Sequence, residues 1–344
     1  KDHLFTLPDQ PALIPYRTSY YYENWGFCIT HKQFLQLEED EYEVVIDSTL
    51  EDGSLSYGEY FIKGESKDEV LLTCYTCHPS MCNDNLSGVV LLTFLAKHLK
   101  NLSLQYSYRF LFIPETIGAI AWLSRNEQNV TKIKHGLVAT CVGDPGISTY
   151  KKSRQGNAEI DQTVIEVLKK SGDDYKITNF EPLGSDERQF CSPGFNLPVG
   201  SLRRTKPPNF PEYHTSADNT EFVQATYLAD SFSKYFKIIL KLEENFGNFY
   251  SKNNEEEPLE IDSKNDQVFL SLNPKCEPKL DKTGIYRKIG GERDNDSLTI
   301  LWILSYADGK HSLRDISLRS GIDFKQIKQV AKLLQTKKLL KRIL

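Results

Sequence analysis

At 344 residues the chain has room for one large α/β domain and one or two smaller ones, at roughly 100 to 200 residues per domain. Lys+Arg 42 against Asp+Glu 47 gives a formal net charge of −5, which excludes a surface dominated by contacts to nucleic-acid phosphate or anionic lipid. The composition, 39% hydrophobic and 26% charged, is that of a globular protein with a sizeable core and excludes disorder as the default state.

No apolar run approaches the ~20 residues that span a bilayer, and Lys1-Asp2-His3-Leu4 does not open a signal peptide, so no membrane association and a cytoplasmic location are expected. Seven cysteines, at 28, 74, 77, 82, 141, 191 and 276, are odd in number and too sparse for a disulfide scaffold, which points to reduced thiols.

Residues 1–66 carry Tyr16, Tyr20, Tyr21, Tyr22, Trp25 and Phe27, then alternating runs at 42–47 and 57–62 split by Asp52-Gly53. These predict a small β-rich aromatic subdomain, expected to continue upstream because no initiator Met is present. From Glu69 strand and helix alternate. Val70–Tyr75 reads as a buried strand and Ser87–Leu99 as the helix after it. A second unit follows: strand Tyr108–Ile113, turn Pro114-Glu115-Thr116, helix Ile117–Arg125, then strand Gly136–Val142 ending at Gly143-Asp144-Pro145. Helices near 160–171 and 220–245 and a strand near 199–202 complete an α/β domain over 67–249, with a doubly wound, mostly parallel sheet. Residues 250–281 read as a polar linker. Three short amphipathic helices and a terminal strand within 282–344 predict a winged-helix domain.

In an open parallel sheet, ligands collect outside the carboxyl ends of the strands. His78, Asp84, Glu115 and Asp144 all fall there, and His214 comes from the loop before the long helix. Imidazoles combined with hard carboxylate oxygens suit Zn²⁺ or a similar ion, and a shared Asp84 would suit a pair of ions. Each residue alone is more often a structural hydrogen-bonder than a ligand, and Gly-Asp-Pro-Gly is also a good turn. The concurrence of five is what points to a site.

The set His78, Asp84-Asn85-Leu86-Ser87-Gly88, Glu115-Thr116-Ile117-Gly118, Asp144, Ser185-Asp186 with Phe190, Gly194–Pro198 and Tyr213-His214-Thr215-Ser216-Ala217-Asp218 resembles the co-catalytic zinc aminopeptidase family over about residues 67–246. With the aromatic N-terminal segment and the winged-helix end, the whole chain is similar to bacterial aminopeptidase-like proteins. The resemblance implies a hydrolase of a small peptide or amide that holds one or two Zn²⁺ ions. His78 and Asp144 would hold one metal, His214 would help hold the other, and Asp84 would bridge. Glu115 would be the general base. Asp218 would support the ligands or cap a helix, and Ser185, Asp186, Phe190 and Tyr213 would stand near the substrate. Two positions depart from the family. The carboxylate expected two residues after the first ligand histidine is Ser80, and the second glutamate after the base is Thr116. Arg154, near the same sheet edge, would either meet a substrate carboxylate or carbonyl or form an ion pair.

Cys74-Tyr75-Thr76-Cys77-His78 matches the haem-attachment pattern but lies in a buried strand, and Cys74, Cys77 and Cys82 lack a fourth partner at zinc-site spacing. Small buried hydrophobes is the reading for these thiols. The alternative function is a ligand-sensing DNA-binding regulator, with phosphates met by Lys325, Lys328, Lys332, Lys337, Lys338, Lys341 and Arg342. Only Gln326 and Gln329 are clear candidates for reading bases, so a packing or oligomer-contact role for the winged helix is favoured.

Overall fold

The computed structural model describes residues 1–18, 24–247, 266–280 and 295–344; Tyr20, Tyr21 and Tyr22 lie outside them. The chain opens with β1 (Leu4–Phe5) and β2 (Phe27–Cys28), paired in parallel, and α1 (His31–Gln36), which starts with a Thr30–Gln33 capping box. The run at 42–47, expected as a strand, is not one: its residues are all exposed and make no ladder. β3 (Gly58–Ile62) is a strand, but it belongs to the large sheet instead of a separate subdomain. A five-residue strand of mostly exposed residues gains its pairing by closing the open edge of β5 (Ser107–Ile113), to which it runs antiparallel.

The sheet is built on β4 (Glu69–Tyr75), buried at every residue as befits a central strand covered on both faces. β4 leads through an irregular turn to α2 (Ser87–Leu99), and β5 leads to α3 (Ile117–Asn126). Then come β6 (Ile133–Ala139), β7 (Ser148–Lys151), α4 (Glu159–Ser171), β8 (Tyr175–Thr178), α5 (Glu187–Phe190), β9 (Val199–Arg203) and α6 (Ala225–Asn245). The strand order is β3-β5-β4-β6-β9-β7-β8. β5, β4, β6 and β9 run parallel side by side, while β7 is antiparallel to β9. This is a doubly wound α/β sheet, parallel at its centre.

One face packs against α2, α4 and α6 through Leu91, Leu92, Leu95, Val164, Leu168, Tyr235 and Ile239. On the other face Leu71, Leu111, Ile113 and Val138 meet Trp122 of α3, Phe190 of α5 and, in the same cluster, side chains of the C-terminal unit. That unit has β10 (Val268–Ser271), α7 (Asn295–Tyr306), β11 (Asp308–Ser312), α8 (Leu313–Ser320), α9 (Phe324–Thr336) and β12 (Leu340–Arg342), with strand order β11-β10-β12. It is a winged helix whose central strand lies in the stretch expected to be linker. The rest of 266–280 is also tied down: Gly194 donates to the Pro274 carbonyl at 2.7 Å, and Arg188 pairs with Glu277 at 2.6 Å. The short apolar run Val268-Phe269-Leu270 was outweighed in the sequence by the polar residues around it. Among the described residues no helix is long and apolar enough to cross a membrane.

Candidate metal centre

β4 delivers the chain to the carboxyl edge of the sheet, where Cys77 and His78 follow it and an irregular turn over Cys82–Leu86 precedes α2. This turn is fixed by its own short polar side chains. Asn83 Oδ1 accepts from the Gly143 N–H at 3.0 Å, Asn85 Oδ1 accepts from the Cys141 N–H at 3.2 Å, and Asn85 Nδ2 donates to the Ala139 carbonyl at 2.8 Å. Ser87 Oγ receives the Val142 N–H at 3.2 Å. The Asp-Asn-Leu-Ser-Gly run is thus a clamp on the loop after β6. Gly88 is required by it, since a Cβ there would stand 2.6 Å from the Ala139 carbonyl oxygen. The peptide bond between Asp84 and Asn85 is cis.

Within this frame His78, Asp84 and His214 each place one ligand atom within 4.8 Å of the other two. His214 Nε2 lies 2.9 Å from Asp84 Oδ2. The other Asp84 oxygen accepts from the Tyr75 hydroxyl, which is also 2.7 Å from Thr140 Oγ1. Burial pushes the Asp84 carboxyl up, but the His214 hydrogen bond and the His78 ring outweigh it and hold the group below its ordinary range. Burial lowers the His78 imidazole against the pull of Asp84. Asp218 accepts from the Asn83 and Asp84 N–H groups, at 2.5 and 3.0 Å, so it sets the backbone that carries Asp84. It is therefore a positioning group for Asp84.

Glu115 follows β5 and is adjacent to His78; its carboxylate oxygen, a His78 nitrogen and Cys77 Sγ also lie within 4.8 Å of one another. Burial, reinforced by the charges of Asp186 and Asp84, lifts Glu115 to about 8. Asp186 receives the Thr116 N–H on Oδ1 at 2.7 Å, while its Oδ2 and Ser185 Oγ are buried with no hydrogen-bond partner. Burial first, then Glu187, raises Asp186 to about 7. Non-glycine residues in the left-handed region gather here: Ser80 (φ 65°), Thr116 (64°), Cys141 (49°) and His214 (55°). Strain of this kind persists where a site over-determines its backbone.

Three expected assignments are corrected. Asp144 lies outside the cluster. Its carboxylate is taken up by the Asn83 amide at 3.1 Å, the Gly146 N–H at 2.8 Å and the Thr205 hydroxyl, so it ties a turn together. The physical reason is that β6 ends at Ala139, before the expected Val142, so Asp144 falls in the following loop, where Asn83 and Thr205 take it up. Arg154 reaches no cluster residue. It donates to the Ser305 carbonyl at 2.9 Å and Asn196 Oδ1 at 3.0 Å, pairs with Asp308 and covers the Tyr306 ring, joining the sheet domain to the winged helix. Phe190 is fully buried, 6.4 Å from Trp122 between ring centroids, and is core.

Tyr213 stacks on His214 at 3.9 Å, as a residue near the site should. Tyr16 was not singled out from the N-terminal aromatics. Its ring lies 5.5 Å from that of His78 and 5.3 Å from that of His214, and its N–H donates to the His214 carbonyl at 2.8 Å. No spacing marks it in the sequence. Cys77, read as a buried hydrophobe, is partly exposed with Sγ 3.3 Å from His78 Nδ1.

Fold and site together define an aminopeptidase-like α/β protein with a C-terminal winged helix. The chain belongs to the family described as a domain of unknown function, DUF4910, which matches residues 5–245, and a winged helix-turn-helix family matches 267–342. A Clostridium acetobutylicum protein provisionally named a polysaccharide biosynthesis protein with an aminopeptidase-like domain is 53% identical over 345 residues, covering 100% of this chain and 74% of the relative. The crystal structure of a provisionally named peptidase from Clostridium acetobutylicum matches with TM-score 0.69 and 51% identity, over 99% of this chain and 73% of that one. The zinc aminopeptidase BSAP from Bacillus subtilis gives TM-score 0.48 and 16% identity over 58% of this chain and 51% of its own.

Proposed function

We propose that the protein is a zinc-dependent hydrolase of a small peptide or amide, with His78, Asp84 and His214 as the ligands of one ion and Glu115 as general base. The observation that carries this reading is the convergence of two imidazoles and one carboxylate within 4.8 Å, with Glu115 beside His78. Three protein donors of these types suit a catalytic zinc site and leave a coordination position open. When bound, the ion would polarise the scissile carbonyl and make water more acidic.

The chain's own residues supply the remaining parts. Tyr75, His214 and Asp218 hold Asp84 in one orientation, so little rearrangement accompanies loading. Glu115, beside His78, is placed to accept a proton from the attacking water and return it to the leaving amine. The rings of Tyr16 and Tyr213 flank His214. With Thr116 in place of a second glutamate after Glu115 and Asp144 held in its own turn, the donors favour a single ion. The relative's name adds amides borne on sugars to the aminoacyl amides worth screening. Hydrolysis of any member that vanishes in Glu115→Gln supports the reading, while full activity in that variant refutes the role of Glu115.

A second reading, DNA binding through the winged helix, has one favourable observation. Lys325, Lys328 and Lys332 share an exposed face of α9, and Lys337, Lys338, Lys341 and Arg342 extend it. Against it, Gln326 turns inward and donates to Thr299 Oγ1 at 3.1 Å. A gel shift with random duplex DNA at low salt would retire this reading if nothing bound.

A further inference from the structure

The Cys77 thiol stands where a buried hydrophobe has no reason to be. It is partly exposed, 3.3 Å from His78 Nδ1, and it accepts the backbone N–H of Glu115 at 3.1 Å. The ligand atoms of Cys77, His78 and Glu115 form a second group within 4.8 Å of one another, distinct from the group of His78, Asp84 and His214 and sharing only His78 with it. About 3.5 Å between sulfur and nitrogen is what two ligands of one tetrahedral ion show, given metal–sulfur and metal–nitrogen lengths of ~2.3 and ~2.0 Å. A backbone N–H directed at the sulfur is the contact that stabilises a thiolate. Thiolate and imidazole with one carboxylate select thiophilic cations over hard ones.

We propose that Cys77, His78 and Glu115 form a separate site for a thiophilic divalent cation, and that its occupation shuts the pocket down. On binding, the Cys77 S–H and the Glu115 carboxyl O–H bonds break, both protons go to solvent, and the sulfur–metal and oxygen–metal bonds form. The thiolate and the Glu115 carboxylate then balance the two positive charges. Binding there draws His78 from the Asp84–His214 group and takes the Glu115 carboxylate away from base work, so the two sites are alternatives. The proposal rests on the reading of this pocket as a cation site, and its test separates the two.

The test is titration of the reduced, chelator-treated protein with Cd²⁺, followed by ultraviolet thiolate-to-metal charge-transfer absorption. The full chain should develop the band at one equivalent. Cys77→Ser should lose it, Cys82→Ser should keep it, and His214→Ala should keep it because His214 lies outside the site. A band that survives Cys77→Ser overturns the proposal. So does the absence of a band in a protein that still takes up zinc through His214, an outcome that leaves the hydrolase reading standing. A band that depends on Cys77, in a protein whose zinc content ignores His214, upholds the proposal and removes the hydrolase reading.

Discussion

Replacing Arg154 with alanine should destabilise the protein and leave the metal centre intact. The guanidinium makes hydrogen bonds to the Ser305 carbonyl and Asn196, pairs with Asp308 and lies 5.0 Å from the Tyr306 ring centroid. The side chains of Arg154 and Asp308 are only 7% and 12% exposed, so the loss strands a largely buried carboxylate. Breaking a buried pair from one side costs about 3–5 kcal/mol. His311, with Nδ1 3.0 Å from Asp308, moderates this towards the lower end. At about 2.1 cal/mol/K per residue, 344 residues give a melting entropy near 0.7 kcal/mol/K, so Tm should fall by about 4–7 °C. Urea and thermal unfolding followed by circular dichroism measure it. A loss under about 1 kcal/mol, or an unchanged Tm with hydrolysis impaired, would refute the tether and return Arg154 to the substrate.

Glu115→Gln should lower hydrolysis about 10²–10⁴-fold, with metal content unchanged by elemental analysis. Gly88→Ala should cost about 1–3 kcal/mol in urea unfolding, because the added methyl meets the Ala139 carbonyl at 2.6 Å. Burial pushes the Asp308 carboxyl up, but the His311 hydrogen bond and the Arg154 charge win and hold it well below the usual range. A depressed carboxylate stabilises the fold fully above its unfolded value and loses that contribution as pH falls. Stability of the wild type should therefore drop below about pH 4 more steeply than that of Asp308→Asn, as followed by unfolding across pH.

Much of the sheet was legible because its central strands are apolar and buried. β4, α2, β5 and α3 carry patterns that survive without tertiary context, and their ends place His78, Asp84 and Glu115 on one edge. β7 and β8 were missed because Ser148–Lys151 and Tyr175–Thr178 are short and polar, and Lys151 is buried because Glu187 and the Glu181 and Leu183 carbonyls take up its ammonium. Asp144 was misplaced by strand length: β6 ends three residues before the expected Val142, which leaves Asp144 in a turn held by Asn83, Gly146 and Thr205. The partners of Arg154 lie 42 positions away at Asn196 and 151 and 154 positions away at Ser305 and Asp308, and no local signal announces them. Tyr16 is likewise brought to the histidines by a bridge between Pro15 and Thr215, a contact that aromatic content alone does not encode.

The central claim is that His78, Asp84 and His214 form one ligand set. Its most direct test is the zinc content of the wild type and of His214→Ala, stripped with chelator, reloaded with Zn²⁺ and measured by elemental analysis with Cys77→Ser as background to isolate this site. The account predicts about one tightly held equivalent with His214 present and substantially less without it. Equal stoichiometry in the two proteins would contradict it.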